Sequence, residues 1–105
     1  MNYFKIIYQI LRCMEQSMDS EIFNTDCISA QMLGISVARR NAILEILVQE
    51  GYVSGVAIQK IGELTSVNPQ NAKITLKGLE YLEENAMMKK AYRLLKGAKE
   101  VTPFL

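Results

Sequence analysis

The residues best suited to chemistry in this chain lie at positions 36–41, in the stretch SVARRN. Arg39 and Arg40 form the chain's only adjacent arginine pair. The planar arginine fork matches a phosphate, or the O6 and N7 atoms of guanine. Ser36 and the free N–H groups of a helix beginning there would hold a phosphate. Asn41 adds an amide that pairs with adenine when it faces outward. These residue types together predict contact with a nucleic acid.

The helical spacing of the same stretch decides which side chains face outward. Leu44 and Leu47 mark the apolar side of the predicted helix. On the opposite side fall four residues: Ser36, Ala38, Arg39 and Ala42. The alternative is a plain solvated face, in which the two arginines pair with Glu45 or Glu50 of their own helix.

The composition argues against an enzyme. The 105 residues include no histidine, which removes Ser-His and Cys-His pairs and histidine metal ligands. No glycine-rich phosphate loop occurs, and no nucleophile has an identifiable base. We therefore expect no catalysis, no cofactor and no metal. The net charge of +1 gives no bulk electrostatic field toward nucleic acid, so an anion-binding surface must come from local clustering.

The cysteines and the apolar segments indicate the cellular compartment in which the protein is expected. Cys13 and Cys27 lie fourteen residues apart and form no CxxC pair. We expect them to be small apolar core residues in a reducing compartment, rather than a disulfide. No segment approaches the roughly 18 to 20 continuous apolar residues of a membrane span. The N-terminal apolar run is broken by Gln9 and Arg12 and is followed by no cleavage site, so the predicted location is cytoplasmic.

The first half of the chain has the periodicity of helices. Residues 3–18 form an amphipathic pattern of about four turns. A short helix capped by Thr25 or Asp26 is expected to end at Gly34. The next helix begins at Ser36 and runs to Gly51. Helix, tight turn and helix in this order match the helix-turn-helix pattern, whose second helix enters a DNA groove.

The next part of the chain is rich in β-branched residues. Residues 52–62 predict one strand and residues 71–75 a second, which pairs with the first as a hairpin. The stretch between them, ELTSVNPQ, has the composition of a turn. Lys60 and Lys73 on this predicted wing would add contacts to the DNA backbone.

A helix that begins after Thr75 contains a glycine in its first turn. Thr75 is a helix cap, and Leu76, Leu79 and Leu82 form an apolar side. Gly78 costs up to roughly 1 kcal/mol relative to alanine in a helix. We expect a packing reason, namely that a bare backbone lets another element approach closely; the alternative is an uncompensated cost near a helix end.

Residues 86–99 predict a last amphipathic helix within a single domain of residues 1–105. Its apolar stripe consists of Met88, Ala91, Tyr92 and Leu95. The stripe is either a homodimer interface, which methionine suits, or a surface that packs back on the first helix.

The element order and several short motifs resemble a known family. YFKIIYQIL, then TLKG at residues 75–78, then YLEEN at residues 81–85 occur in this order over nearly the whole chain. With these motifs the chain resembles the YjcQ-like family, small winged-helix proteins of bacteria and their prophages. SVARRNAILEILVQEGYV followed by ITLKG is similar, more broadly, to bacterial winged-helix regulators of the MarR and PadR type. The resemblance implies an α+β, mostly helical fold: a winged helix-turn-helix with three helices, a β-hairpin wing and one or two C-terminal helices.

Two functions follow as hypotheses. The first is a small transcription regulator that binds double-stranded DNA, and the family resemblance suggests a prophage origin. Its predicted DNA-binding residues are Ser36, Ala38, Arg39, Arg40, Asn41, Lys60 and Lys73. The second is a non-catalytic protein-interaction module of the same shape, without DNA binding. The near-zero net charge and three acidic residues beside the supposed reading surface, Glu45, Glu50 and Glu63, motivate the second.

Overall fold

The computed structural model describes residues 2–85. Residues 86–105 lie outside the described part, and with them the predicted last helix and its stripe of Met88, Ala91, Tyr92 and Leu95. In the described residues the fold is α+β and mostly helical, as predicted. The order of helices, hairpin and further helix is compatible with a winged-helix layout.

Among the described elements, helix α1 (Tyr3–Gln16) contributes the most buried residues. Its N-terminus is capped by Asn2, whose side chain accepts a hydrogen bond from the Lys5 N–H at 3.2 Å. Its buried side chains recur at helical spacing: Ile6, Tyr8, Ile10, Leu11 and Met14. A 3₁₀ turn (Ser17–Asp19) ends the helix two residues earlier than the sequence predicted.

The predicted short helix is two pieces. A 3₁₀ turn (Thr25–Ile28) comes first, and α2 (Ala30–Leu33) follows. The predicted cap was wrong: the side chain of Asn24 caps the 3₁₀ turn, and Ser29 caps α2. Ser29 has extended backbone dihedrals, which break the helix and leave its hydroxyl free to accept from the first turn.

The turn into α3 (Val37–Gln49) has the predicted chemistry. Gly34 ends α2 in the left-handed region with φ +71°, where glycine carries no Cβ penalty. Ser36 caps α3, because its hydroxyl accepts a hydrogen bond from the Arg39 N–H at 3.1 Å. The predicted start of the second helix of this helix-turn-helix is thereby confirmed.

The predicted strand pairing was right for one end of the first strand and wrong for the rest. The described residues contain four strands: β1 (Val53–Ser54), β2 (Ala57–Ile61), β3 (Leu64–Asn68) and β4 (Lys73–Ile74). The hairpin is β2 with β3, in antiparallel register from Ala57↔Asn68 to Ile61↔Leu64. β4 pairs with β1, which lies in the predicted strand of residues 52–62, so this part of the predicted pairing is confirmed.

The composition of β3 explains the error. Its serine and asparagine favour turns, yet Thr65 and Val67 alternate with exposed residues as a half-buried strand requires. Gly62 and Glu63 make a two-residue connection, with Gly62 at φ +63° in the first position. This is the place that a type II′ hairpin turn reserves for glycine. Pro69, which lacks an N–H, comes directly after β3.

Helix α4 (Leu76–Glu84) follows β4 directly and packs against α1. Thr75 caps it, accepting from the Gly78 N–H at 3.1 Å. Gly78 is buried, and a Cβ at this position would lie 2.5 Å from the Tyr52 carbonyl oxygen. The expected close packing at this glycine is therefore confirmed, with the residues before β1 as the neighbour.

One core joins α1, α3 and the strands. Beside the α1 residues, it contains these buried side chains: Ile28, Ile43, Leu44, Leu47, Val53 and Ala72. Burying an aliphatic side chain of this kind is worth about 1.5–3 kcal/mol. The inner face of α3 is thereby buried in this core, whereas the start of α3 is exposed.

The expectation of two unpaired cysteines was wrong. Cys13 on α1 and Cys27 in the 3₁₀ turn form a disulfide, with their Cα atoms 6.5 Å apart. Both side chains are half-buried at the edge of the core. The spacing of fourteen residues gave no sign of this, because the chain between them folds back on α1.

Candidate nucleic-acid interface

The first turns of α3 present a small polar surface to solvent. Ser36, Ala38, Arg39 and Ala42 are all exposed, as the helical spacing predicted. The helix begins there with backbone N–H groups that have no partner within the helix, and with the positive end of its dipole. Small side chains at two of the four positions let a flat or grooved partner approach the helix closely. The surface therefore has the shape and the local charge of an anion contact.

Arg39 is held in place by a tyrosine of α1. Its Nη1 atom donates to the Tyr3 hydroxyl at 2.5 Å, and its guanidinium carbon lies 5.6 Å from the centre of the Tyr3 ring. Contact with an aromatic face orients the guanidinium. This partner could not be predicted from the sequence, since 36 residues separate the two positions.

Arg40 and Asn41 are oriented differently from Arg39. Both side chains are half-buried, and the Arg40 Nε and Asn41 Oδ1 atoms are shielded from solvent without a hydrogen-bond partner in the described residues. Helical spacing accounts for this, because Arg40 and Asn41 precede the buried Leu44 by four and three residues. The outward orientation that adenine recognition by Asn41 requires is not seen.

The wing meets α3 through an ion pair. The Lys60 ammonium lies 2.9 Å from Glu45, one of the two carboxylates that were predicted as alternative partners for the arginines. Glu45 stands six residues beyond Arg39, about 9 Å farther along the helix axis. Lys60 is therefore brought to the same helix as Arg39, but beside a negative charge.

Lys73 belongs to a different strand pair. It is exposed on β4, directly opposite Ser54 of β1, and not on the β2–β3 hairpin. The structure thus unites Ser36, Ala38 and Arg39 at one helix end, with Lys60 beside the same helix. It places Lys73 on a separate two-stranded ladder.

A comparison with protein-family models matches residues 8–101 to the family described as YjcQ protein. The chain belongs to the YjcQ protein family. The predicted family membership is thereby confirmed. A search of curated proteins and a search of solved structures each returned no match.

Two apolar features of the YjcQ-family chain were missed from the sequence. Ile61 and Leu64 face each other across the last rung of the hairpin and are 64% and 76% exposed. Val37, next to the cap of α3, is exposed as well. The glycine of the two-residue turn between Ile61 and Leu64 was the available signal for the hairpin tip.

Other chemistry in the described residues is sparse. A cleft of about 190 Å³ between α1 and α4 has a lining of Tyr8, Arg12, Glu15, Leu79, Leu82 and Glu83. Within residues 2–85 no group of three or more acidic or cysteine side chains is arranged to hold a metal ion. In that same part of the chain, no helix has the length and apolar character needed to cross a bilayer.

Proposed function

We propose that this YjcQ-family protein binds double-stranded DNA and acts as a small transcription regulator. The observation that carries the proposal is the start of α3, where an exposed, tyrosine-oriented arginine stands beside a serine-capped helix N-terminus. A helix that follows a glycine-closed turn and exposes its first residues has the geometry of a recognition helix.

Arg39 has the central role in this proposal. Its guanidinium is presented at the helix start, where a groove-bound helix meets the bases and the flanking phosphates. Ser36 and the free N–H groups of the first turn contact a phosphate, and Ala38 leaves room for the backbone. Arg40 and Asn41 contribute through the packing of α3, unless their side chains rotate outward on binding.

The charge available predicts weak binding by one copy. One oriented arginine and the helix start, with lysines of the strands, neutralise about three or four phosphates. Useful affinity therefore calls for a homodimer on two half-sites about one helical turn apart. Met88, Ala91, Tyr92 and Leu95 remain the predicted dimer residues, outside the described part of the chain.

One observation favours a second candidate, a protein-interaction module. The Lys60–Glu45 ion pair interrupts a positive strip that would otherwise run from Arg39 to the wing. The exposed Ile61 and Leu64 at the hairpin tip suit an apolar partner better than a phosphate backbone. In this case the chain would bind a protein surface through the wing and would not bind DNA.

A salt series separates the two functions. The full chain is mixed with a labelled random-sequence duplex, and its affinity is measured by fluorescence anisotropy from low to moderate salt. DNA binding predicts an affinity that falls linearly in log–log form, with a slope of about −3 to −4 per copy. Absence of binding at low salt, or binding that does not respond to salt, would remove the DNA proposal and leave the interaction module.

A further inference from the structure

The segment of residues 17–29 connects α1 to α2 with little regular structure. It contains two 3₁₀ turns, Ser17–Asp19 and Thr25–Ile28. Among residues 2–85, its backbone hydrogen bonds are all local, such as Ser20 N–H to Ser17 and Ser29 N–H to Asp26. No backbone ladder therefore attaches this segment to the rest of the fold.

Side chains hold the segment on the molecule instead. Ile28 is fully buried in the core, and Phe23 is half-buried against it. Met18 and Ile22 are 61% and 79% exposed and contribute little. Apart from the peptide chain itself, the disulfide between Cys27 and Cys13 is the only covalent link between this segment and α1 within the described residues.

The disulfide lies at the edge of the core, and both of its cysteines retain part of their solvent exposure. Both cysteines are half-buried, and the distance of 6.5 Å between their Cα atoms is within the range that a disulfide spans without backbone movement. The Cys27 sulfur lies 3.3 Å from the Asn24 carbonyl oxygen, so a thiol formed on reduction has a hydrogen-bond acceptor in place. Accessible disulfides of this kind are the ones that exchange with a thiol pool.

We propose that Cys13 and Cys27 form a reversible redox clamp that holds residues 17–29 on α1. In the dithiol form the segment keeps Ile28 as its main anchor and opens locally. In the disulfide form the opening is suppressed, because the bond closes the loop between the two cysteines. The clamp acts on the segment that leads into α2, and it does not rest on DNA binding.

The exchange chemistry balances with a small disulfide such as oxidised glutathione. One cysteine thiolate attacks it, forming a mixed disulfide and releasing one glutathione thiolate. The second cysteine thiolate attacks the mixed disulfide and releases the second glutathione. Two electrons and two protons pass from the two cysteines to the glutathione pair, and reduction is the reverse.

Hydrogen–deuterium exchange of the full chain in oxidised and reduced glutathione buffers tests the clamp. Alkylation and mass measurement give the fraction of disulfide at each ratio of the two glutathione forms. We expect reduction to accelerate amide exchange in peptides of residues 17–29 by about a hundredfold, as for release of a loop of this length. Peptides of α3 should exchange at the same rate in both buffers.

A double variant, Cys13→Ala with Cys27→Ala, is the matched control. Its residues 17–29 should exchange at the rate of the reduced wild type in both buffers. Three results would overturn the clamp: no disulfide in oxidised glutathione, equal exchange of the segment in both forms, or acceleration that extends to α3. The wild-type comparison decides among these even where the double variant folds poorly.

Discussion

The hydroxyl of Thr75 lies 2.6 Å from the carbonyl oxygen of Gly51, and it thereby ties the end of α3 to the start of α4. The same hydroxyl accepts from the Gly78 N–H at 3.1 Å. Two neighbouring carbonyls are satisfied in the same way: the Thr75 N–H donates to Tyr52, and the Lys77 ammonium donates to Glu50 at 2.8 Å. The TLKG motif therefore caps the C-terminal end of α3 from outside.

These two hydrogen bonds of Thr75 predict that the fold loses stability when the hydroxyl is removed. Thr75→Val keeps the shape of the side chain but removes both of its hydrogen bonds. We expect the free energy of unfolding in urea to fall by about 1–2 kcal/mol, the range for a lost helix cap. Thr75→Ser retains the hydroxyl and should stay within about 0.5 kcal/mol of wild type. A Thr75→Val protein as stable as wild type would contradict the role of the hydroxyl.

For Gly78, the test is whether substitution by alanine stabilises or destabilises the protein. In an ordinary helix, Gly→Ala stabilises by roughly 0.5–1 kcal/mol. Here an added Cβ would lie 2.5 Å from the Tyr52 carbonyl oxygen and 2.6 Å from the Ile74 side chain. We expect Gly78→Ala to destabilise by about 1–3 kcal/mol in urea unfolding, as overpacking does.

The control for this substitution is Glu80→Ala, an exposed position on the same helix. It should change stability by no more than about 0.5 kcal/mol. A Gly78→Ala protein that is more stable than wild type would contradict the close approach of α4 to Tyr52.

Tyr81 makes the stability of the fold depend on pH in the alkaline range. Its ring meets that of Tyr52 edge to face, with centroids 5.5 Å apart. Burial, and next the neighbouring phenol of Tyr52, raise the pKa of Tyr81 above its ordinary value. The folded state thus holds this proton more tightly than the unfolded chain does. The resulting stabilisation is complete below the unfolded pKa of about 10 and is lost as pH rises through the folded pKa.

Tyr81→Phe removes this titration and keeps the ring. We expect its free energy of unfolding, followed by urea denaturation from neutral pH to above pH 10, to decline less steeply than that of wild type. The two proteins should show the same pH dependence near neutrality. Parallel curves through the alkaline range would contradict a raised pKa at Tyr81.

The ion pair between Lys60 and Glu45 predicts a gain of DNA affinity on mutation. Glu45→Gln removes a negative charge beside α3 and releases the Lys60 ammonium toward a phosphate. We expect tighter duplex binding, with a salt slope steeper by up to about 1. Glu21→Gln removes the same charge from an exposed position outside the interface. An identical effect of both variants would mean that only the net charge of the chain matters.

Local signals predicted the turn from α2 into α3 and the start of α4, but not the caps of Asn24 and Ser29. The glycine and serine between α2 and α3, and the threonine before α4, act on their own immediate neighbours. Their roles could be deduced because a cap requires only the adjacent turn. Close packing at Gly78 was predictable, because a glycine within a helix costs stability and is expected where another element approaches closely. Its neighbour, Tyr52, was not predictable.

The distant partners of β2, Cys27 and Arg39 could not be predicted from the sequence. The partner of β2 was misassigned because the turn-like composition of β3 outweighed its alternation. The disulfide between Cys13 and Cys27 depends on how residues 17–29 fold back. In the candidate site, the exposure of Arg39 was predicted, and its contact with Tyr3 was not. The inward orientation of Arg40 could have been found, because this residue lies one helical turn before the buried Leu44.

The most direct measurement is the salt dependence of duplex binding in Arg39→Ala beside a matched control. Arg12→Ala removes the same charge from α1, where Arg12 pairs with Glu15 next to the cleft with α4. The account predicts that Arg39→Ala weakens binding about tenfold or more and lowers the salt slope by about 1, whereas Arg12→Ala changes both only slightly. Equal binding curves for wild type and Arg39→Ala would contradict DNA recognition by the start of α3.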